Sequence, residues 1–312
     1  MAPDPPATPP TVLPWRDRPP RRGGGRSFLS PAVRGLLAQR DLDPEEIHGT
    51  GETGRVTRAD VLAYTGGLRG AERPADGAEI VAFSPVRRRT AEHMVRSKAT
   101  AAHAAIVVEV DYEAVARVRR RRGAAWREEE GFPLTYLPFV ARAVIDAIAA
   151  FPRVNAAVRD GDQLVVHREV HLGVAVDLDH QGLIVPVVRN ARAKRLRAIA
   201  GEITDLASRA RARQLSPDDV GGGTFTITNP GPYGTLVSVP IINQPQVAIL
   251  ATDRIAPRPV VVETGDGDGV AVRAVGRLTL SFDHRAFDGA YAAAFLARVR
   301  DVIETRAWNA EL

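Results

Sequence analysis

The chain has 312 residues, 45% of them hydrophobic and none of them cysteine, and its 42 basic against 37 acidic side chains leave a formal net charge of +5. That is apolar material for one large core and something smaller beside it, and it rules out disulfide scaffolding and a cysteine nucleophile. No apolar run approaches the ~18 residues of a membrane span, and Asp4 with repeated prolines stands where a signal peptide needs an apolar stretch of about 7–15 residues, so the expected compartment is the cytoplasm and no membrane partner is expected.

Residues 1–26 carry Pro-Pro pairs and the Gly23-Gly24-Gly25 triplet with hardly an apolar side chain to bury; they read as a disordered Pro/Gly/Arg-rich linker. A compact unit is expected over 27–66. Ser30 is a good N-cap and Pro31 a good first helical residue, and Val33, Leu36 and Leu37 recur at helical spacing. Asp41 to Ile47 reads as a turn and a short segment, Gly49, Gly51 and Gly54 as loop, and Thr57 as the cap of a helix carrying Val61 and Leu62. Residues 67–79 form a second linker, and the large domain occupies 80–312.

In that domain helices are predicted over Pro85–Ser97, Tyr112–Glu130, Leu134–Ala150, Leu196–Arg213 and Asp288–Glu304. Strands are predicted over Ala105–Val110, Val165–Val176 and Leu183–Val188, with Asp160-Gly161 turning a hairpin. From Thr224 strands alternate with loops, and Ile241–Leu250 supplies core strands. This mixed order argues for an α/β sandwich on a mixed or largely antiparallel sheet. Arg119 to Arg122 continue a helical pattern that runs on into Glu128, Glu129 and Glu130, which makes them a solvated helix face, and no nucleic acid partner is expected.

Four motifs carry chemistry or invite it. In Phe225-Thr226-Ile227-Thr228-Asn229-Pro230-Gly231 a strand alternates and then breaks, so the Thr228 hydroxyl stands at its exit. His103 reads as a satisfied, half-buried histidine. His167 and His171, with Glu169 between them, look like a zinc pair, but on a strand their rings would lie about 13 Å apart, too far for one ion with ligands near 2 Å; no metal is expected. Finally, Asp283-His284-Arg285-Ala286-Phe287-Asp288-Gly289 sets a histidine between a strand and an Ala-rich helix. An imidazole, with an unperturbed pKa of about 6.5, accepts protons near neutrality, and an Asp at a helix start can hold the loop that aims it.

The His-x-x-x-Asp-Gly run and the Phe-Thr-Ile-Thr-Asn strand resemble the dihydrolipoamide acyltransferases of 2-oxo-acid dehydrogenase complexes and chloramphenicol acetyltransferase. Ser30-Pro31-Ala32-Val33-Arg34, Gly49-Thr50-Gly51, Gly54-Arg55-Val56 and Asp60-Val61 resemble the peripheral subunit-binding domain of the same acyltransferases. The resemblance implies a chloramphenicol-acetyltransferase-like sandwich preceded by a small helical subunit-binding domain. It implies His284 as the base, Thr228 as the oxyanion donor, and Asp288 as a loop-holding residue paired with Arg285 or one of Arg87 to Arg89. In the small domain it implies Asp60 as the residue tying down the Gly-rich loop and Arg34 and Arg55 as partner contacts.

The activity implied is acyl transfer between dihydrolipoamide and coenzyme A, the coenzyme being a substrate. The partners implied are a 2-oxo-acid decarboxylase or dihydrolipoamide dehydrogenase bound through residues 27–66, a lipoyl-bearing protein, and two further copies in a trimer whose site lies between subunits, with assembly into a cubic or dodecahedral core. Neither Lys98 nor Lys194 sits in a lipoyl-acceptor hairpin, so the lipoyl group is expected in trans or on a longer chain. A non-catalytic assembly protein and a free-standing CoA-dependent acyltransferase on a small acceptor stay open as alternatives, and the acyl group is undetermined.

Overall fold

A computed structural model describes residues 29–39, 42–51, 54–68, 79–265 and 267–312. The linker reading of 1–26 and most of that of 67–79 fall outside them. The chain divides into two compact units at Ala82/Phe83.

In the first unit Ser30 Oγ accepts the Val33 N–H at 3.3 Å and starts α1 (Pro31–Gln39). A 3-10 turn follows at Pro44–Glu46, then α2 (Arg58–Leu68). Five side chains, Val33, Leu37, Ile47, Val56 and Val61, form its buried core. So small a core needs a polar tie. Asp60 supplies it: Oδ2 accepts the Thr50 and Thr57 amides at 2.9 and 2.7 Å, and Oδ1 accepts the Thr50 hydroxyl at 2.7 Å. The Gly49 backbone lies so close to Gly54 and Arg55 that a Cβ there would collide with their main chain. The Thr50 hydroxyl and amide, then the Thr57 amide, hold the Asp60 carboxyl well below the usual carboxylate range.

In the second unit Ser84 caps α3 (Pro85–Thr100), accepting the Arg87 amide at 3.2 Å with Pro85 as first helical residue. β1 (His103–Asp111), α4 (Glu113–Glu130) and α5 (Leu137–Ala150) follow, α4 ending at Gly131 with φ 80°. β2 (Ala156–Arg159) and β3 (Gln163–Val166) form a hairpin whose turn has positive φ at Asp160 and Gly161. The long strands expected over Val165–Val176 and Leu183–Val188 are instead broken into β4 (Leu172–Val174), β5 (Val176–Asp177), β6 (Leu183–Ile184) and β7 (Val187–Val188). The Asn155 side-chain amide causes the first break by donating to the carbonyls of both His167 and Glu169, at 3.1 and 2.9 Å. Pro186 falls in the break between β6 and β7, where a ladder N–H is missing. α6 (Leu196–Arg211), α7 (Pro217–Val220), β8 (Phe225–Thr228), β9 (Ala248–Thr252), β10 (Ala256–Thr264), β11 (Gly267–Asp283) and α8 (Gly289–Thr305) complete the unit. Residues 241–247, expected to be strand, are loop.

Among the described residues the main sheet is seven-stranded and mixed, in the order β1-β11-β9-β8-β4-β7 with β10 on β11. β4, β8 and β9 run parallel, and the other pairs are antiparallel. Strand alternation separates two faces. Leu278, Leu280 and Phe282 join Phe225, Ile227 and Leu250 in the core beneath α5 and α8, where the Phe139 and Trp308 rings meet edge to face at 5.2 Å. Thr279, Ser281 and Asp283 lie on the opposite face.

β11 is long enough to serve three partners, β9 among them. From Val275 onward it pairs with β1. Before that it pairs with β10 alone, over eight of their nine shared rungs, as a ribbon on which Val261, Val270 and Val272 are 69%, 77% and 70% exposed. No described helix is long and apolar enough to cross a membrane.

Candidate active site

The two hydroxyls of β8 have different fates. Thr226 is buried, and its hydroxyl donates to Gln246 Oε1 at 2.7 Å. Thr228 is half-buried at the last position of the strand, and among the described residues nothing hydrogen-bonds its hydroxyl. Thr226 is thus committed to the fold, and Thr228 is free to donate to a ligand. A groove of about 390 Å³ opens at this end, lined by Asn229, Gly231, Pro232 and Thr252 and walled by Tyr136 and Arg119, whose guanidinium lies 3.9 Å over the Tyr136 ring.

His284 sits just past the end of β11. Its backbone N–H donates to the Ala102 carbonyl at 2.9 Å, and its ring leans on Phe282 at 5.7 Å, with about half of the side chain exposed. Asp288 stands at the start of α8, with Oδ1 3.7 Å from His284 Nδ1 and the side chain 87% exposed. That spacing is an electrostatic contact, longer than a hydrogen bond.

The pairing of Asp288 with Arg285 or one of Arg87 to Arg89 does not form among the described residues. Arg285 clamps Asp283 instead, Nε to Oδ1 at 3.0 Å and Nη2 to Oδ2 at 2.6 Å, while Asp283 also accepts the Ala102 amide at 3.2 Å. Asp283 is 1% exposed, so the guanidinium goes to the carboxylate that most needs a counter-charge. Burial opposes the charge of Asp283, but Arg285 outweighs it and holds the carboxyl below its ordinary range. This clamp fixes both backbones beside His284. Its sequence signal was an adjacent Asp-x-Arg, legible only once the strand was known to bury Asp283.

His103 is satisfied at both ring nitrogens, by the Ala101 carbonyl and the Ile242 amide, each at 3.1 Å. His167 and His171 flank a bend, not a strand, so the distance inferred from an extended chain does not apply. His171 Nδ1 accepts the Asn190 amide at 3.1 Å, and burial, then the Arg189 charge, lower its pKa.

Register settles how Thr228 and His284 relate within one chain. Thr228 pairs with Ala251, and Ala251 with Thr279, so His284 is two strands across and five residues along. At about 4.8 Å per strand and about 3.3 Å per residue the two Cα atoms are roughly 19 Å apart. They occupy opposite ends of the sheet and cannot act on one atom from the same chain.

In the first unit the Arg34 and Arg55 side chains are exposed, Arg34 reaching the Leu29 carbonyl at 3.4 Å.

Residues 75–310 match the family described as 2-oxoacid dehydrogenases acyltransferase (catalytic domain), and residues 27–62 match the e3 binding domain. The lipoamide acyltransferase component of the branched-chain alpha-keto acid dehydrogenase complex of Bacillus subtilis is 35% identical over 304 residues, covering 88% of this chain and 70% of that protein. The dihydrolipoyllysine-residue succinyltransferase component of the 2-oxoglutarate dehydrogenase complex of Rickettsia bellii is 38% identical over 285 residues, covering 89% and 70%. Among solved structures, Azotobacter vinelandii dihydrolipoamide acetyltransferase superposes with a TM-score of 0.68 at 32% identity over 75% of this chain and 96% of that one; it was investigated for the role of a serine, a histidine and an asparagine, the last two four positions apart, in its catalytic mechanism. The cubic core of a pyruvate dehydrogenase multienzyme complex superposes with a TM-score of 0.68 at 31% identity, covering 75% and 96%.

Proposed function

The chain belongs to the 2-oxoacid dehydrogenase acyltransferase family, and on that premise we propose that it moves an acyl group between a dihydrolipoyl thiol and coenzyme A at a site built by two neighbouring copies. The observation that carries the reading is the pair of complementary half-sites at opposite ends of one sheet, a free hydroxyl on Thr228 and a presented imidazole on His284. The serine, histidine and asparagine of the Azotobacter enzyme support it, with Thr228, His284 and Asp288 as the counterparts here.

His284 takes the proton from the attacking thiol, an imidazole being well matched to a thiol of pKa about 8.5. The sulfur adds to the thioester carbonyl, whose oxygen becomes an anion. Thr228 donates a hydrogen bond to that anion, an interaction worth up to about 3–4 kcal/mol where such donors have been removed. Collapse breaks the other carbon–sulfur bond, and the departing thiolate recovers the proton from His284. Asp288, 3.7 Å from Nδ1, helps keep the other ring nitrogen toward the thiol.

The copies form a trimer and the trimers a larger core, as the likeness to a cubic core supports. The e3 binding region recruits dihydrolipoamide dehydrogenase through Arg34 and Arg55. Neither lysine is placed to carry the lipoyl group, because Lys194 is paired with Glu202 at 2.5 Å and Lys98 lies in α3. A chain without cysteine suits the reducing cytoplasm.

The test is turnover of free dihydrolipoamide with acyl-CoA. His284→Ala is expected to lose at least about a hundredfold, and an unchanged rate refutes the assignment. Comparing acetyl-, succinyl- and isobutyryl-CoA identifies the acyl group.

A further inference from the structure

One buried carboxylate in the second unit plays no part in the chemistry above and has no basic partner among the described residues. Asp253 follows β9 directly and is 2% exposed. Its Oδ1 accepts the hydroxyls of Thr235 and Ser238, both at 2.7 Å, and Oδ2 accepts the Ser238 amide at 3.1 Å. All three donors lie on the segment that leaves β8 after Thr228.

The same segment is fastened to the Asp253 backbone. The Arg254 amide donates to the Thr235 carbonyl at 3.0 Å. Gly231 rests directly on the peptide beyond Asp253, and a Cβ at 231 would come within 2.7 Å of the Asp253 carbonyl oxygen. By register Asp253 lies two residues beyond Ala251, the partner of Thr228. The chain leaving Thr228 therefore turns over the Asp253 peptide and is gripped by its side chain, in a loop that exposes Leu236 and Val237 by 57% and 47% between the two anchored residues.

An ionised carboxylate taken out of water is costly unless its lone pairs are filled. Here three hydrogen bonds occupy most of the roughly four lone-pair sites, and all three come from one loop. A carboxylate accepts at both oxygens and from several directions at once, so one side chain holds a turn that an apolar residue would leave to drift.

We propose that Asp253 is a positioning residue for acyl transfer, fixing the loop after β8 so that the Thr228 hydroxyl points at the developing oxyanion. This rests on the reading of Thr228 as the oxyanion donor. Asp253 borders the groove beside Asn229 and Gly231 but is 2% exposed, and it acts through Thr235, Ser238 and the Gly231 contact.

The experiment is a double-mutant cycle on the assembled full chain, with steady-state acyl transfer between acyl-CoA and dihydrolipoamide. Asp253→Ala is expected to lower kcat by about ten- to a hundredfold, the size of effect a misplaced catalytic group produces, with both KM values within about twofold. In a Thr228→Val background the same change is expected to cost nothing further, because the group being aimed is gone. If Asp253→Ala does not assemble, Ser238→Ala and Thr235→Val, each removing hydroxyl donation from one residue, carry the same cycle. An unchanged kcat in the single variant, or an equal fold-loss in both backgrounds, overturns the positioning role. Full turnover in Thr228→Val alone overturns the oxyanion assignment and this inference with it, whereas a slow Thr228→Val with independent losses sinks only this inference.

Discussion

Two crippled chains should rescue each other. Thr228→Val removes the hydroxyl half-site and His284→Ala the imidazole half-site, and each variant alone assembles without a complete site. With the two groups roughly 19 Å apart in one chain by register, against a hydrogen-bond reach of about 3 Å, every site must draw its hydroxyl and its imidazole from different copies. In a head-to-tail ring a site is whole only where a His284→Ala chain supplies Thr228 and its neighbour, a Thr228→Val chain, supplies His284, which random assortment provides at about one site in four. Within any mixed trimer the share is about one in three, since any two-to-one ring contains one such junction. The assay is co-expression with two affinity tags, sequential purification on both, and acyl transfer per chain. Homogeneous variants report the background. Doubly tagged assemblies no more active than their parents would refute the division of the site between subunits.

Thr226→Val is expected to cost about 1–3 kcal/mol of stability by stranding Gln246, while Thr228→Val lowers kcat and leaves the melting temperature nearly unchanged; thermal melts beside kinetics separate the two. Arg285→Ala leaves Asp283 buried without its counter-charge, so a loss of stability of up to about 3 kcal/mol is expected, discounted because Arg285 is partly exposed, with a fall in kcat as the Ala102 and His284 backbones relax; wild-type turnover in that variant contradicts the clamp. Asp60 is ionised more readily folded than unfolded, so its stabilisation is whole above the unfolded carboxylate range near pH 4 and drains as pH falls toward the folded value. Amide exchange of residues 29–64 should show the first unit opening below that range, and Asp60→Asn should open it at neutral pH. Arg34→Glu with Arg55→Glu should weaken capture of dihydrolipoamide dehydrogenase at least about tenfold, or ~1.4 kcal/mol, without touching acyl transfer; equal capture removes both arginines from the interface.

Helices were the legible part of this chain. α3, α4, α5, α6 and α8 start and stop within a few residues of their predicted bounds, because caps and periodicity are local properties. The strands between Val165 and Val188 were not legible, since their breaks come from Asn155, a dozen residues upstream, and from pairing choices around Pro186 that hydropathy does not record. Thr228 and His284 were visible as motifs, each at the end of a strand. Which arginine serves which carboxylate was not, because Asp283 and Asp288 look alike in sequence and differ only in burial. Asp253 was invisible for the same reason: nothing local distinguishes a carboxylate that three loop donors will surround.

Pro257 and Pro259 interrupt the outer border of β10, removing two of the amide hydrogens an incoming strand would need. The valine-covered side of the β10–β11 ribbon is left wet while that border is blunted. Anything that shelters those methyl groups must lie flat against them, since two proline rings hinder extension of the ladder on that side.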